Sequence, residues 1–145
     1  GSGSQLSKLR KKCKELGLKD KVIFTGRRID IPNIAINFDL FLLPSLFEGM
    51  SGSLLEAMGL GLVCVTNNLE QSKEVIDNGV DGFLCSNKNK EEYVDTIFSV
   101  YKNPNLREEI GKNARKKICN KFSVQRRVDE SEKVYNLLYK DATNK

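Results

Sequence analysis

The sequence predicts an α/β fold, in which helices cover both faces of a parallel sheet of about four strands. Two apolar runs, at residues 39–43 and 62–66, are typical of strands that are buried on both faces. Helical spacing of apolar residues follows each run, and this alternation indicates right-handed crossovers between parallel strands. With 145 residues, 39% of them hydrophobic, the chain can build one domain with a core. We therefore expect a three-layer α/β/α architecture.

The N-terminal part of the chain predicts a helix, a strand and a second, short helix. Apolar residues recur at helical spacing until Gly17, which suits the position just after a helix. These apolar residues are Leu6, Leu9, Cys13 and Leu16. Residues 21–26 are rich in β-branched side chains and end at a glycine, which is typical of a strand. The short helix is expected to begin after Pro32.

The same signals predict the elements that follow the strand at residues 39–43. In order, these are a helix over 54–60, a strand over 62–66, a short helix over 73–76, a strand over 82–85 and helices over 90–101, 105–119 and 123–140. The last two helices have apolar inner faces, formed by Leu106, Ile110, Ala114 and Ile118 and by Val124, Val128, Val134 and Leu138.

Composition excludes several classes of protein. The absence of histidine rules out a Ser-His or Cys-His nucleophile and a histidine-ligated metal within the chain. The four cysteines form no CxxC pair, which argues against zinc and fits a reducing cytoplasm, and Cys64 and Cys85 are expected to be buried in strands. No apolar stretch approaches the roughly 20 residues that a membrane helix needs. Residues 1–4 resemble an expression linker, which leaves residues 5–145 as the domain.

The net charge of +5 is unevenly distributed along the chain. Residues 1–30 carry nine basic and three acidic groups. Residues 31–100 carry three basic and ten acidic groups, and residues 101–145 carry twelve basic and six acidic groups. The basic groups are mixed with acids on predicted helices, so we interpret them as solvated surfaces and expect no nucleic-acid partner. A weak attraction to an anionic lipid or an anionic substrate is the alternative that this pattern leaves open.

The loop after the strand at residues 39–43 contains the candidate site. Ligands of open parallel sheets bind beyond the carboxyl ends of the strands. Gly49 and Gly52 are expected to let the backbone approach a ligand, with φ values that other residues resist. The helix that follows offers unpaired N–H groups and a positive dipole end to a phosphate. Glu48 and Glu56 flank this anion site, and their carboxylates suit the hydroxyl groups of a nucleotide sugar.

The same residues also have purely structural explanations. Ser53 and Glu56 fit a capping box, in which the carboxylate of Glu56 accepts from the backbone N–H of Ser53. Glu48 then becomes a solvated loop acid. Under that interpretation the chain is a non-catalytic α/β module for interaction or scaffolding.

The motif resembles that of a known enzyme family. The Glu48-Gly49 start, the seven residues between the two glutamates and the finish over residues 54–58 are similar to the signature of retaining nucleotide-sugar glycosyltransferases of family 4, which have the GT-B fold. Further segments resemble that family in the expected order, at residues 17–26, 38–45, 61–66, 74–76 and 103–123. The resemblance covers residues 6–140 and implies a Rossmann-like C-terminal domain that binds the donor.

The resemblance implies a role for each residue that matches the family's motif. Glu48 matches the catalytic-site glutamate that contacts the donor sugar, and Glu56 matches the glutamate that binds the ribose hydroxyls. The donor diphosphate would be bound by the backbone of Gly49, Met50, Ser51, Gly52 and Ser53. The loop beside the base is matched by Gly26, Arg27 and Arg28, of which the two arginines either flank the base or are surface charges.

The implied activity is transfer of a sugar from a nucleoside-diphosphate-sugar donor with retention of configuration, in the synthesis of a polysaccharide, glycolipid or other glycan. The family typically needs no metal, so we expect neither a metal nor another cofactor. A glycan or lipid acceptor would bind an N-terminal domain, which family members have before this one. The implied location is the cytoplasm, and peripheral association of the parent protein with the cytoplasmic membrane face stays open.

The sequence also lacks the two strands with which the family's donor domain begins. We therefore interpret residues 5–145 as part of such a domain and expect the isolated chain to be inactive. In the strand order 3-2-1-4-5-6, the missing strands would separate residues 22–25 from residues 39–43. Because open strand edges recruit other strands, we expect residues 22–25 to pair with residues 39–43 or with another copy of the chain.

Overall fold

The computed structural model describes residues 3–143, with side chains through residue 139. Within that range the elements are α1 (Leu6–Glu15), α2 (Ile31–Ala35), β1 (Leu40–Leu43), α3 (Gly52–Gly59), β2 (Val63–Asn67), α4 (Glu70–Val75), β3 (Phe83–Cys85), α5 (Lys90–Lys102), α6 (Pro104–Lys121) and α7 (Val124–Thr143). The chain divides into two compact units, Gly1–Ile34 and Ala35–Lys145.

The first unit contains α1 and the segment that ends at Gly26. Gly17 follows α1 with a φ of 68°, and the N–H of Leu18 donates to the carbonyl of Cys13 over 2.8 Å, so the predicted glycine cap is confirmed. The strand predicted over residues 21–26 is wrong. The N–H groups of Lys21 and Val22 donate to the carbonyl of Leu18 instead, over 3.0 and 3.1 Å, and form a turn.

The physical reason is that residues 21–26 have no strand to pair with. A β-branched composition favours a strand only where a neighbouring strand supplies hydrogen bonds and packing. In the part of the chain that the structure describes, this segment joins no sheet, and Ile23 is 85% exposed. The sheet therefore has three strands rather than about four, and the expected pairing of residues 22–25 with β1 within one chain is wrong. Pairing with another copy stays a prediction.

The sheet lies in the second unit and is parallel, in the order β1-β2-β3. All five residues of β2, the central strand, are buried. Leu40 lies opposite Val63 at one side of β2, and Phe83 lies opposite Val65 at the other. β1 is an edge strand in which Leu42 is 44% exposed, so the prediction that it is buried on both faces is wrong. Its apolar residues predicted the strand correctly, but burial also depends on how many neighbours a strand has.

Helices cover both faces of the sheet, which confirms the α/β/α prediction. On one face, Met58 of α3 belongs to the same apolar cluster as Cys64 of β2. On the other face, Val100 of α5 and Ile110 of α6 form a cluster with Val63. Val63 and Cys64 belong to different clusters because successive side chains of a strand point to opposite faces.

The predicted inner face of α6 is confirmed, and the helix lies very close to the amino edge of the sheet. A Cβ placed on Gly111 of α6 would lie 2.2 Å from the carbonyl oxygen of Gly61, which comes just before β2. Gly61 has a φ of 81°, a left-handed conformation that favours glycine. These two glycines therefore allow α6 to approach the backbone in front of β2.

The loop over residues 77–82, which leads into β3 at the amino edge, is held by hydrogen bonds. Asn113 of α6 donates to the carbonyl of Val80 over 3.0 Å. The side chain of Asn78 accepts from the N–H of Leu84 over 2.9 Å. The loop is thus tied both to a helix and to the strand that it precedes.

A buried ion pair adds to these ties. The ammonium nitrogen of Lys117 in α6 lies 2.8 Å from a carboxylate oxygen of Asp77 and 2.8 Å from one of Asp81, and the side chains of Lys117 and Asp81 are 9% and 4% exposed. Burial alone would lower the pKa of Lys117, but its close ion pairs with both carboxylates outweigh burial and raise this pKa above its usual value. The ion pair with Lys117 likewise lowers the pKa of Asp77.

The last helix, α7, does not bury the inner face predicted for it. Its residues Val124, Val128, Val134 and Leu138 are each more than half exposed. Apolar periodicity identifies a face that can pack, but it does not supply the partner, so this prediction is wrong for the chain as described. None of the helices within residues 3–143 combines the length and the apolar content needed to cross a bilayer.

Both cysteines predicted to lie in strands are buried, which confirms that prediction. Cys64 and Cys85 are 0% and 1% exposed. Burial raises the pKa of Cys64 to about 12, and burial also raises the pKa of Cys85. All four cysteines are free thiols, and Cys119 is the exposed one.

Candidate functional site

The carboxyl ends of the three strands meet at one edge of the sheet, as expected for a ligand site. The 44–51 loop begins there after β1, leads to α3 and carries Glu48, whose side chain is half-buried. Phe47 beside it is 95% exposed. Within residues 3–143, residues 46–50 make no hydrogen bond, so most of this loop is free to meet a ligand.

The start of α3 has unused backbone donors. Ser51 occupies the N-cap position but makes no side-chain capping bond, and its hydroxyl lies 3.0 Å from that of Ser53. The first bond of the helix runs from the N–H of Leu55 to the carbonyl of Ser51, over 3.2 Å. The N–H groups of Gly52 and Ser53 have no acceptor within the described chain, and they can bind an anion.

The capping box considered for Ser53 and Glu56 is not formed. The helix begins at Gly52, so Ser53 is already inside its first turn. Glu56 is exposed, and in the described residues its carboxylate has neither a hydrogen bond nor an ion pair. Residues three apart share a face of a helix, so Glu56 lies on the same exposed side as Ser53. Its carboxylate is therefore available to a ligand that reaches this side of α3.

Gly49 and Gly52 differ from expectation in one respect. The positive φ angles belong to Gly17, Gly26, Gly61 and Gly79, so the prediction of unusual φ values at Gly49 and Gly52 is wrong. A Cβ placed on either residue would meet no atom within 4 Å. The two glycines thus leave open space beside the backbone, and their backbone conformations are ones that other residues also adopt.

Two polar side chains at the end of β2, which the sequence did not single out, anchor the start of the 44–51 loop. The hydroxyl of Thr66 donates to the carbonyl of Leu43 over 2.8 Å, and the amide nitrogen of Asn67 donates to the carbonyl of Ser45 over 2.6 Å. The hydroxyl of Tyr93 in α5 donates to the amide oxygen of Asn67. A buried strand that ends in Thr-Asn was the signal that could have identified them.

The remaining predicted residues, Gly26, Arg27 and Arg28, lie in the first unit. Arg28 pairs with Asp30, its Nε donating to Oδ1 over 2.8 Å and its Nη2 to Oδ2. The hydrogen bond with Asp30 raises the pKa of Arg28, and the same bond lowers the pKa of Asp30. Arg27 has no such partner among the described residues, so it is the arginine with its donors available.

The first unit also contains a cavity of about 430 Å³. The guanidinium of Arg10 lies over the ring of Phe24 there, 5.6 Å from its centroid. The lining residues are Arg10, Cys13, Lys14, Lys19, Val22, Ile23 and Phe24, none of which belongs to the predicted site. In the part of the chain covered by the structure, no three Asp, Glu, Cys or His side chains are grouped so that they could hold a metal ion.

Several known proteins with related sequences are named as glycosyltransferases. The UDP-Gal:alpha-D-GlcNAc-diphosphoundecaprenol alpha-1,3-galactosyltransferase of Escherichia coli is 36% identical over 121 residues, which are 83% of this chain and 31% of that protein. The N-acetyl-alpha-D-glucosaminyl L-malate synthase of Bacillus anthracis is 28% identical over 144 residues, which are 99% of this chain and 38% of that protein. Anabaena HepE, in its crystal structure with UDP-glucose, gives a TM-score of 0.84 at 26% identity, covering 96% of this chain and 38% of HepE.

The extent of these matches defines what the chain is part of. It spans about a third of the length of the curated relatives that it matches. The model of the family described as glycosyl transferases group 1 matches residues 1–117, a range that includes the 44–51 loop, α3 and the whole sheet. The chain therefore belongs to the glycosyl transferases group 1 family.

Proposed function

We propose that this chain is the donor-binding part of a glycosyltransferase that transfers a sugar from a nucleoside-diphosphate sugar, with retention of configuration, during synthesis of a polysaccharide, glycolipid or other glycan. The observation that carries the proposal is the set of N–H groups at the start of α3 that have no acceptor among the described residues. The carboxylates of Glu48 and Glu56, likewise without a partner there, stand on either side of them in the sequence. Family membership supports the reaction class. The names of the E. coli and Anabaena proteins make UDP-galactose and UDP-glucose the first donors to test.

The charges of the site suit the two ends of such a donor. A diphosphate is attracted by the N–H groups and dipole of α3, whereas carboxylates repel it. Glu56 would therefore be directed at the ribose hydroxyls and Glu48 at the hydroxyls of the sugar. Each charge-assisted hydrogen bond of this kind contributes about 1.5–3 kcal/mol.

The same groups would assist the chemical step. When the bond between the anomeric carbon and the diphosphate oxygen breaks, negative charge develops on the leaving nucleotide. The backbone N–H groups of residues 50–53 would stabilise that charge more in the transition state than in the ground state, and this difference accelerates the reaction. Glu48, on the reacting face, would orient the sugar.

Further parts of the proposal concern the base, the acceptor and the location. Gly26 and Arg27 would lie beside the base, with Arg28 oriented by its pair with Asp30. The acceptor, a glycan or a lipid, would bind a further domain of the full-length protein, and donor binding would need no metal. The protein would act in the cytoplasm, at the cytoplasmic membrane face where its acceptor is a lipid.

The test is nucleotide and donor binding by the full-length protein, measured with UDP, GDP and ADP and then with the matching nucleotide sugars. Free ligand at 100 times its dissociation constant should add about 2.7 kcal/mol of stability, which a thermal shift detects. Glu56→Ala should weaken nucleotide binding, and Glu48→Gln should slow turnover. Glu109→Ala is the matched control, because Glu109 is an exposed helical glutamate with no partner in the described chain. Unchanged binding and turnover in both site variants would refute the proposal.

A further inference from the structure

Asn67 is a buried amide whose two polar atoms are both engaged across the site. It ends β2, is 1% exposed and lies between the 44–51 loop and α5. Its amide nitrogen is 2.6 Å from the carbonyl oxygen of Ser45, and its amide oxygen is 2.5 Å from the hydroxyl of Tyr93. Tyr93 is 26 residues away in sequence, so this link connects three separate elements.

The orientation of the amide follows from hydrogen-bond chemistry. A backbone carbonyl can only accept, so the NH2 group of Asn67 must face Ser45 and its oxygen must face Tyr93. Tyr93 must then be the donor. Burial is the main cause that raises the pKa of Tyr93 to about 12, with Cys85 and Glu92 adding to it, so the phenol keeps its proton throughout the neutral range.

This link is the last hydrogen bond before Glu48 on the β1 side of the loop. In the described chain, residues 46–50 make none of their own, so the next fixed point is Ser51 at the start of α3. Glu48 is three residues beyond Ser45, a span of at most about 10 Å. Ser45 and Ser51 are therefore the two hydrogen-bonded points between which the segment with Glu48 is held.

We propose that Asn67 and Tyr93 are positioning residues for donor transfer, which fix the Ser45 carbonyl and thereby hold the 44–51 loop with Glu48 against the donor's sugar. The inference rests on the proposed function, because it gives Glu48 a sugar to contact. Neither side chain touches the reacting atoms in this arrangement. Their contribution is to limit the positions that the loop can take, which lowers the cost of ordering it when the donor binds.

The experiment measures how much of the donor's affinity the sugar supplies. In the full-length protein, isothermal titration gives the dissociation constants of UDP and of UDP-galactose or UDP-glucose, whichever the wild type binds. The readout is the ratio of the UDP constant to the UDP-sugar constant. Loss of folded protein lowers the fitted stoichiometry but leaves this ratio unchanged, so the readout separates positioning from a structural role.

Asn67→Asp places a carboxylate oxygen against the Ser45 carbonyl and should lower the ratio about tenfold, the equivalent of about 1.4 kcal/mol. Tyr93→Phe removes one donor and should lower it about threefold, a smaller loss because the bond to Ser45 remains. The constant for UDP itself should change less than about twofold, since α3 is held by its own buried side chains. Combining Asn67→Asp with Glu48→Gln should lower the ratio no further than the larger single change, because both act on one contact.

Two matched controls come from outside the site. Asn113→Asp alters another asparagine that donates to a loop carbonyl, that of Val80, and Tyr101→Phe alters a tyrosine that is 73% exposed. Both should leave the ratio unchanged. If Glu48→Gln lowers the ratio while Asn67→Asp and Tyr93→Phe do not, the inference is wrong and the proposed function stands. If Glu48→Gln also leaves the ratio unchanged, the inference is wrong, and the proposed function is decided separately by nucleotide binding of Glu56→Ala and turnover of Glu48→Gln. Tyr93→Phe decides the inference should Asn67→Asp fail to fold.

Discussion

The loops at the two edges of the sheet differ in how their polar groups are bonded. At the amino edge, the 77–82 loop is fixed to α6 by Lys117 and Asn113, and its carboxylate at Asp81 is almost fully buried. At the carboxyl edge, the 44–51 loop is tied at Ser45 and then makes no further hydrogen bond through residue 50 within the described chain. One loop uses its polar groups inside the protein, and the other leaves them available.

The difference teaches where a substitution should affect stability and where it should affect binding. Removing the partner of a buried polar group leaves that group unpaired and lowers the free energy of unfolding substantially. A polar group with no internal partner contributes little to that free energy, so its value lies in what it can bind. The amino edge should therefore be sensitive in denaturation experiments, and the carboxyl edge in ligand titrations.

The largest expected effect is that of Lys117→Met at the amino edge. It leaves the buried carboxylate of Asp81 without its cation and should lower the free energy of unfolding by about 3–5 kcal/mol, as measured by urea titration. Lys112→Met is the control, because Lys112 pairs with Glu108 on the exposed face of α6. That pair should be worth at most about 0.5 kcal/mol. Equal losses in the two variants would show that burial of the ion pair is not what matters.

Gly111→Ala should have the next largest effect. Its new Cβ would lie 2.2 Å from the carbonyl oxygen of Gly61, so α6 would have to move away from the backbone in front of β2. Such overpacking costs about 1–3 kcal/mol, measurable as a lower urea midpoint. In Gly59→Ala the Cβ would lie 3.5 Å from the Cγ2 methyl of Ile118, an ordinary contact, so this variant should be neutral or slightly more stable. A neutral Gly111→Ala would contradict the close approach.

The ion pair at the amino edge should also make stability depend on pH. The pKa of Asp77 is lowered in the folded protein by Lys117, so this pairing stabilises above the unfolded pKa near 3.8 and is lost as the pH falls through the lower folded value. The pKa of Lys117 is raised, so its contribution is present below about 10.5 and is lost as the pH rises through the higher folded value. The difference in unfolding free energy between wild type and Lys117→Met should therefore narrow from pH 6 towards pH 3. A constant difference across that range would argue against the pairing with Asp77.

The smallest effect on stability is expected at the carboxyl edge, from Glu56→Ala. The carboxylate has no partner in the described chain, so the free energy of unfolding should change by less than about 0.5 kcal/mol. Loss of a capping interaction would cost about 1 kcal/mol. A loss of that size would restore the structural explanation of Glu56 and weaken the contrast between the two edges.

Much of the fold could be predicted from the sequence because its signals are local. Apolar patterns predicted β1, β2 and the inner face of α6. Each pattern indicates a surface that can pack when a partner surface is present. Residues 21–26 and α7 carry the same kinds of signal, but the described chain provides no strand for the one and no covering surface for the other. Composition indicates what a segment can become, and its neighbours decide whether it does.

The candidate site was predictable to a similar extent. Glu48 and Glu56 stand in one short motif, so their proximity to the start of α3 followed from sequence spacing alone. The link from Ser45 through Asn67 to Tyr93 joins residues far apart in the chain, and it depends on the parallel register of β1 and β2. Such a link leaves no periodic or spacing signal, so only the tertiary structure could identify it.

Because Cys64 is buried, the rate at which its thiol is alkylated can be used to measure local opening of the protein. This thiol belongs to one apolar cluster with Met58 of α3, Ile76 and Ala114 of α6, and burial raises its pKa to about 12, so an alkylating reagent reaches it only when this cluster opens. Its labelling rate thus gives the frequency of that opening, and exposed Cys119 supplies the reference rate in the same molecule. A nucleotide bound at the start of α3 favours the closed form, so it should protect Cys64 and leave Cys119 unaffected. Ligand occupancy at the carboxyl edge could then be read by mass spectrometry, without an added label or an assay of transfer.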